Sequence, residues 1–231
     1  MSKSKRVGMV VAMAKEIGPM LATLGERIGV VEKNCFRADI YKFNDVEIYL
    51  SECGIGQIAS AVATQMMVSI CEVDLIINFG VAGSLNPDYD IADIVLVRGV
   101  VHTDRDLSLL DPVKPAQYSE YDSEVIPTTE SLYQLVKSLE VDLPVGIIAS
   151  SEKFVARDSA KKDLVEKFSV DLCDMESAGV VLTAHRNKVP VIVVKAISDK
   201  ADDSAVMDYN NMAKIALNAY VSLITKLLEV L

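Results

Sequence analysis

The sequence predicts a single α/β domain, and three observations carry that expectation. Nearly continuous apolar runs of strand length recur along the chain, and segments with the apolar spacing of helices separate them. No Pro-, Gly- or Ser-rich linker and no internal repeat divides the 231 residues, so one domain spanning 1–231 is the economical reading. Hydrophobic residues make up 51% and charged residues 24%, a mixture that buries a core and excludes disorder.

Residues 6–13 (RVGMVVAM) are apolar almost throughout and read as a strand buried on both faces. In 15–24, Ile17, Met20, Leu21 and Leu24 share a helical face, with Pro19 close enough to the start to be tolerated. Segments 36–43 and 46–51 flank Asn44-Asp45, a pair suited to a tight turn, so two antiparallel strands are expected there. Gly54 and Gly56 precede a small-residue helix over 57–71 that can lie close on a sheet. Next come interior strands at 75–80 (LIINFG) and 94–101 (IVLVRGVV), separated by a loop holding Gly83, Asn86 and Pro87. From Thr103 to Thr128 the pattern breaks, and Pro112, Pro115 and Pro127 appear among charges. This long irregular segment reads as a lid, an interface arm or a mobile loop.

Alternation then resumes with a helix over 130–139, a short strand at 145–150 and a polar-faced helix over 159–168. Residues 171–174 lead into a helix over 177–187, which stops before Val189-Pro190. Segment 191–197 is the most strongly β-branched run. An amphipathic helix over 208–231 follows, with Ile215, Ala216, Ala219, Leu223 and Leu227 among its apolar positions.

Composition narrows the function classes. Twenty-three basic residues against 33 acidic ones give a formal charge of −10, and without a basic patch this balance repels nucleic acid. Cys35, Cys53, Cys71 and Cys173 are widely spaced, with no Cys-x-x-Cys pair and only His102 and His185 to assist, so no metal site is expected. Both histidines read as structural. The polar start lacks a cleavable leader pattern and no apolar run reaches the roughly 20 residues of a membrane span, so a cytoplasmic protein is expected.

Chemistry concentrates where apolar strands end. Ala12-Met13-Ala14-Lys15-Glu16, Cys53-Gly54-Ile55-Gly56, Gly80-Val81-Ala82-Gly83 and Ser198-Asp199 all occupy such positions. In an open α/β sheet these ends converge on one rim, where backbone donors are free to meet a ligand. Neither glycine segment completes Gly-x-Gly-x-x-Gly, and there is no phosphate loop or Gly-x-Ser-x-Gly elbow. A dinucleotide cofactor is therefore not expected.

In chain order, Ala12-Met13 with Glu16, Cys53-Gly54-Ile55-Gly56-Gln57, Asn78 to Gly83, Asp174-Met175-Glu176-Ser177-Ala178 and Lys195 to Asp199 resemble the motifs of the purine nucleoside phosphorylase and uridine phosphorylase superfamily. Within it, they are most similar to 5′-methylthioadenosine/S-adenosylhomocysteine nucleosidases. The resemblance spans nearly the whole chain and is weakest from about 103 to 130. It implies a mixed, partly barrel-like sheet flanked by helices, and hydrolysis of an N-glycosidic bond that releases adenine from a 5′-thio-substituted adenosine. No metal or cofactor is implied. By position, Asp199 would protonate the purine at N7, Glu16 would activate water, and Glu176, in the first turn of a helix among its free N–H groups, would accept a ribose hydroxyl. Met175 would cover the sugar, Phe154 would stack on the purine, and the backbone of Val155 would read the purine edge. Met13, Ile55 and Tyr209 would line the sugar and 5′-substituent pocket. Leu107 and Leu110 would cap the 5′ group of a neighbouring subunit, which implies a homodimer.

Departures from the family pattern are informative. The phosphorylases hold phosphate with two arginines, and here Glu16 lies near the first position and Asn78 occupies the second, which favours water over phosphate. Val81 stands where these nucleosidases commonly carry serine, Lys195 where they carry arginine, and Tyr209 where phenylalanine is expected. A phosphorylase, a futalosine-type hydrolase of the same superfamily, and a nucleoside-binding protein without turnover are the alternatives.

Overall fold

A computed structural model describes residues 4–140 and 142–231, with side chains apart from those of 210–214. Residues 1–3 and 141, which belong to the expected 1–231 domain, lie outside the described residues.

The chain opens with strand β1 (Lys5–Val11), helix α1 (Ala14–Leu21), and strands β2 (Arg27–Lys33), β3 (Phe36–Phe43) and β4 (Val46–Glu52). Then come α2 (Gln57–Ser69), β5 (Leu75–Ser84), β6 (Ile94–His102) and β7 (Val125–Pro127). The remainder is α3 (Glu130–Leu139), β8 (Val145–Ser150), α4 (Asp158–Phe168), β9 (Leu172–Asp174), α5 (Ser177–Arg186), β10 (Val191–Asp199) and α6 (Ala205–Val230).

All ten strands join one mixed sheet. Five of them close a ring, because β10 pairs with both β5 and β6, and β8 and β9 complete the circuit from β6 back to β5. Strands β1, β4, β3 and β2 extend as an arm from β5. The expected partly barrel-like sheet is thus a closed ring with a tail. Among the described residues no helix is long and apolar enough to cross a membrane.

Side-chain alternation explains why helices cover both faces. Val7, Met9 and Val11 of β1, with Ile192 and Val194 of β10, point to a core shared with α1, α3 and α6. Val10, Val191, Val193 and Ile197 point to a second core against α2 and α5. Such runs have no polar side because both faces are buried, and each fully buried Val, Leu or Ile contributes about 1.5–3 kcal/mol.

The structure departs from the sequence reading in places. Strand β2 was not expected: it lies at the sheet edge, carries Arg27, Glu32 and Lys33, and is held by pairing with β3 and by Arg27–Asp39 and Arg37–Glu32 ion pairs. Strand β5 runs through Gly83 to Ser84 where a loop was expected, since β10 and β9 supply partners to Gly83 and Ser84. Pro127 ends the short strand β7 inside the segment read as irregular, and α6 starts at Ala205 instead of 208. Pro19 sits well inside α1 and not at its start.

Candidate active site

Strands β1, β4, β5 and β10 are mutually parallel, so their C-terminal ends share one rim. A cleft of about 460 Å³ opens there. Met13 follows β1, Ile55 follows β4, Val81 sits near the end of β5, and Asp199 ends β10; all four line the cleft. Phe154, Met175, Glu176, Tyr209 and Glu16 line it as well. Residues 183 positions apart, Glu16 and Asp199, thereby face one space.

Glu16 is buried on the first turn of α1. Its Oε2 accepts the N–H of Met13 at 2.9 Å and its Oε1 accepts the N–H of Val81 at 3.0 Å. Gly80 makes this approach possible: a Cβ there would stand 2.5 Å from Glu16 Oε1. The Tyr220 hydroxyl donates to the Glu16 carbonyl at 2.6 Å, anchoring α1 to α6. Burial raises the Glu16 pKa against the pull of Lys195 and the two N–H groups.

Glu176 corrects one expectation. It lies at the N-cap of α5, yet its carboxylate does not bond to that helix. Instead Oε1 accepts the N–H of Gly56 at 2.9 Å, across from β4. The carboxylate that serves the start of α5 is Asp174, which accepts the Ser177 N–H at 3.1 Å and the Ser177 hydroxyl at 2.5 Å. Asp174 also holds Lys195 in an ion pair of 3.0 Å, both side chains being nearly inaccessible. Burial opposes the Lys195 charge, but Asp174, Glu176 and Glu16 outweigh it and hold its pKa above the ordinary value. Burial, then the neighbouring Asp174, raises Glu176 to about 7.

Asp199 is buried, receives the Ser198 hydroxyl at 2.8 Å and the Ala201 N–H at 2.9 Å, and has its pKa raised by burial despite both bonds. Phe154 is half exposed and meets Tyr209 edge to face at 6.0 Å between centroids. Tyr209 donates its hydroxyl to Met13 Sδ at 3.6 Å. Val155 is buried among Val170 and Cys173, beside a small recess that adjoins the cleft at Phe154, Met175 and Asp199.

Leu107 and Leu110 do not reach the cleft of their own chain, and Leu110 is 81% exposed. Their segment is fastened nearby, because Asp104 accepts the N–H of Glu152 at 2.6 Å and His102 meets the Tyr118 hydroxyl at 2.7 Å. His185 likewise meets Tyr121 at 2.9 Å. Asn78 spends its amide on the Val10 carbonyl and receives the Ser177 hydroxyl, so it faces the fold's interior.

Sequence reasoning missed Glu152 entirely. Its carboxylate accepts the N–H groups of Gln57 and Ile58 at 2.8 and 3.2 Å, capping α2 from the loop that carries Phe154. An acid two residues before an aromatic, on a loop after a strand, was the available signal. Asp174 and Lys195 were visible within motifs, but their pairing was not.

A family model described as the phosphorylase superfamily matches residues 6–229, and the chain belongs to that superfamily. Its relatives are nucleosidases, enzymes that cleave N-glycosidic bonds. The aminodeoxyfutalosine nucleosidase of Campylobacter jejuni is 29% identical, covering 96% of this chain and 99% of that one. The 5′-methylthioadenosine/S-adenosylhomocysteine nucleosidase of Buchnera aphidicola is 30% identical over 75% of each. Among solved structures, the Helicobacter pylori 5′-methylthioadenosine/S-adenosylhomocysteine nucleosidase, complexed with a prop-2-ynylthiomethyl pyrrolidinol carrying a 4-aminopyrrolopyrimidine, superposes with a TM-score of 0.94 at 27% identity, over 100% of both chains.

Proposed function

We propose that this chain hydrolyses the N-glycosidic bond of 5′-substituted adenosines, 5′-methylthioadenosine and S-adenosylhomocysteine among them, with water as nucleophile. The observation that carries this reading is the character of the cleft: Glu16, Glu176 and Asp199 converge on it, and among the described residues no lysine or arginine lines it. A phosphate dianion would meet four carboxyl groups there and no lysine or arginine among the described residues, whereas water needs a carboxylate as a base. Lys195 lies behind the wall and is committed to Asp174.

Burial favours the protonated form of Asp199 and so equips it to donate to purine N7 as the bond breaks. Glu16, a strengthened base locked by two backbone N–H groups, orients and deprotonates water on the opposite side of the sugar. Glu176 accepts a ribose hydroxyl and stabilises the oxocarbenium charge that gathers on the ring. Phe154 stacks on the base, the Val155 backbone reads its edge, Met175 covers the sugar, and Met13, Ile55, Val81 and Tyr209 enclose the sugar and 5′ end. The working form is a cytoplasmic homodimer in which Leu107 and Leu110 cap the neighbour's 5′ pocket. A futalosine-type substrate is a second reading, favoured by the full-length similarity to the Campylobacter jejuni nucleosidase.

Methylthioadenosine, S-adenosylhomocysteine, aminodeoxyfutalosine, adenosine and inosine, each with and without phosphate, test the reading. Adenine release without phosphate is expected from 5′-substituted adenosines; strict dependence on phosphate would move the chain to the phosphorylase branch. Asp199→Asn should lower kcat by about 10²–10⁴-fold while leaving substrate binding largely intact. Unchanged turnover would remove Asp199 from the mechanism.

A further inference from the structure

Lys161 lies on α4, outside the lining of the cleft, and its ammonium turns to the main chain. Its Nζ donates to the Ser84 carbonyl, at the end of β5, at 3.1 Å and to the Lys200 carbonyl at 2.6 Å. The second contact bears on the reaction. The Lys200 carbonyl and the Ala201 N–H are the two polar ends of one planar peptide, and that N–H is the donor that Asp199 Oδ1 accepts at 2.9 Å. Lys161 and Asp199 therefore grip opposite ends of a single rigid unit.

This turn needs to be held. Ala201 is fully buried and has a φ of +52°, the left-handed region that strains a residue carrying a Cβ. Without a cation on the Lys200 carbonyl, rotation of the 200–201 peptide relieves Ala201 and withdraws the N–H from Asp199. Packing around the carboxylate is tight, because a Cβ at Gly83 would lie 2.9 Å from Asp199 Oδ1, 3.0 Å from Cys173 Sγ and 3.1 Å from the Ala201 Cβ. A small turn of this peptide thus moves the acid itself. The cation also polarises the peptide and strengthens its N–H as a donor. The ammonium of Lys200 reaches elsewhere, to the Tyr89 carbonyl and to Asp90, and does not replace it.

We propose that Lys161 is a positioning residue for N-glycosidic cleavage: it fixes the 200–201 peptide and through it aims Asp199 at the leaving base. The proposal rests on the nucleoside-hydrolase reading with Asp199 as the acid. As the bond from C1′ to N9 breaks, its electron pair passes to the purine and Asp199 gives its proton to N7. A carboxyl group turned aside cannot make that transfer.

The test compares two leaving groups on one sugar, 5′-methylthioadenosine and 4-nitrophenyl 5-methylthio-β-D-ribofuranoside. Nitrophenolate takes the electron pair of its breaking C1′–O bond without needing a proton, so it reports every part of the site except the acid. In Lys161→Met and Lys161→Gln, kcat for adenine release should fall by about ten- to a hundredfold with KM little changed. Nitrophenolate release should stay near the wild-type rate, which also shows that the variants fold. Lys161→Arg, which keeps a cation with several donors, should recover most of the adenine activity. Lys161→Met added to Asp199→Asn should cost adenine release nothing further. An equal loss on both substrates, or no loss on either, would overturn the assignment. Should the wild type spare the nitrophenyl glycoside, the double variant takes its place, and a further loss there overturns the assignment. If the wild type cleaves neither substrate, the hydrolase reading fails. Crystal structures of the wild type and Lys161→Met then decide Lys161 on their own, a 200–201 peptide oriented alike in both ruling it out.

Discussion

At the residue scale, the site is a problem of unequal charge. Lys195 is one buried cation influenced by three carboxylates, Asp174, Glu176 and Glu16. Asp174 takes the direct contact, and Glu176, left with one backbone donor and a like-charged neighbour, rises to about 7. A folded-state pKa above the ordinary 4.5 means that the folded protein holds this proton more tightly than the unfolded chain does. The stability it supplies is fully present below about pH 4.5 and is lost as pH climbs through 7. Glu176→Gln keeps an acceptor for the Gly56 N–H and removes the ionisable proton. It should therefore be about as stable as the wild type near pH 5 and more stable at pH 8, by about 1–3 kcal/mol. Urea unfolding at the two pH values measures this; an identical difference at both would mean that Glu176 ionises in the fold without penalty.

At the element scale, α2 and α5 approach so closely that the small residues between them are indispensable. A Cβ at Gly179 would lie 2.3 Å from the Gln57 carbonyl and from Ser60 Oγ. Ser60 also donates to the Glu176 carbonyl at 3.0 Å. Gly179→Ala must push α2 away, along with the Gly56 N–H that holds Glu176. A loss of about 1–3 kcal/mol is expected by chemical denaturation, and a change under about 0.5 kcal/mol would show that the two helices yield freely. Elements such as the β3–β4 hairpin were legible, because Asn44 adopts the positive φ that its residue type tolerates. So were β1, β6 and β10, whose apolar runs reflect burial on both faces. The ring closure was legible only through the family resemblance and not from local pattern, because it depends on β9, three residues long, pairing with β5 about 90 positions earlier. For the same reason motif order brought Glu16, Glu176 and Asp199 to attention, while the Gly56–Glu176 bond, 120 positions apart, left no local trace.

At the scale of the whole molecule, apolar side chains remain uncovered near the cleft and on α2. Ile55, Ile58 and Leu110 are 58%, 77% and 81% exposed, and Val62 lies one turn beyond Ile58. Such a surface is costly to leave in water, and it supports the proposed homodimer. Light scattering should give about twice the 25.1 kDa chain mass, and the pair Ile58→Glu with Val62→Glu should shift it toward the monomer. A wild type that is monomeric at micromolar concentration would leave Leu107 and Leu110 without a role at the 5′ end.

The hydrogen bond from Tyr220 to the Glu16 carbonyl joins positions 204 apart. During synthesis at roughly 5–20 residues per second, α1 therefore waits about 10–40 s for α6 to emerge. Throughout that interval the apolar face of α1 that carries Met20 lacks the α6 residues with which it shares a core in the finished fold.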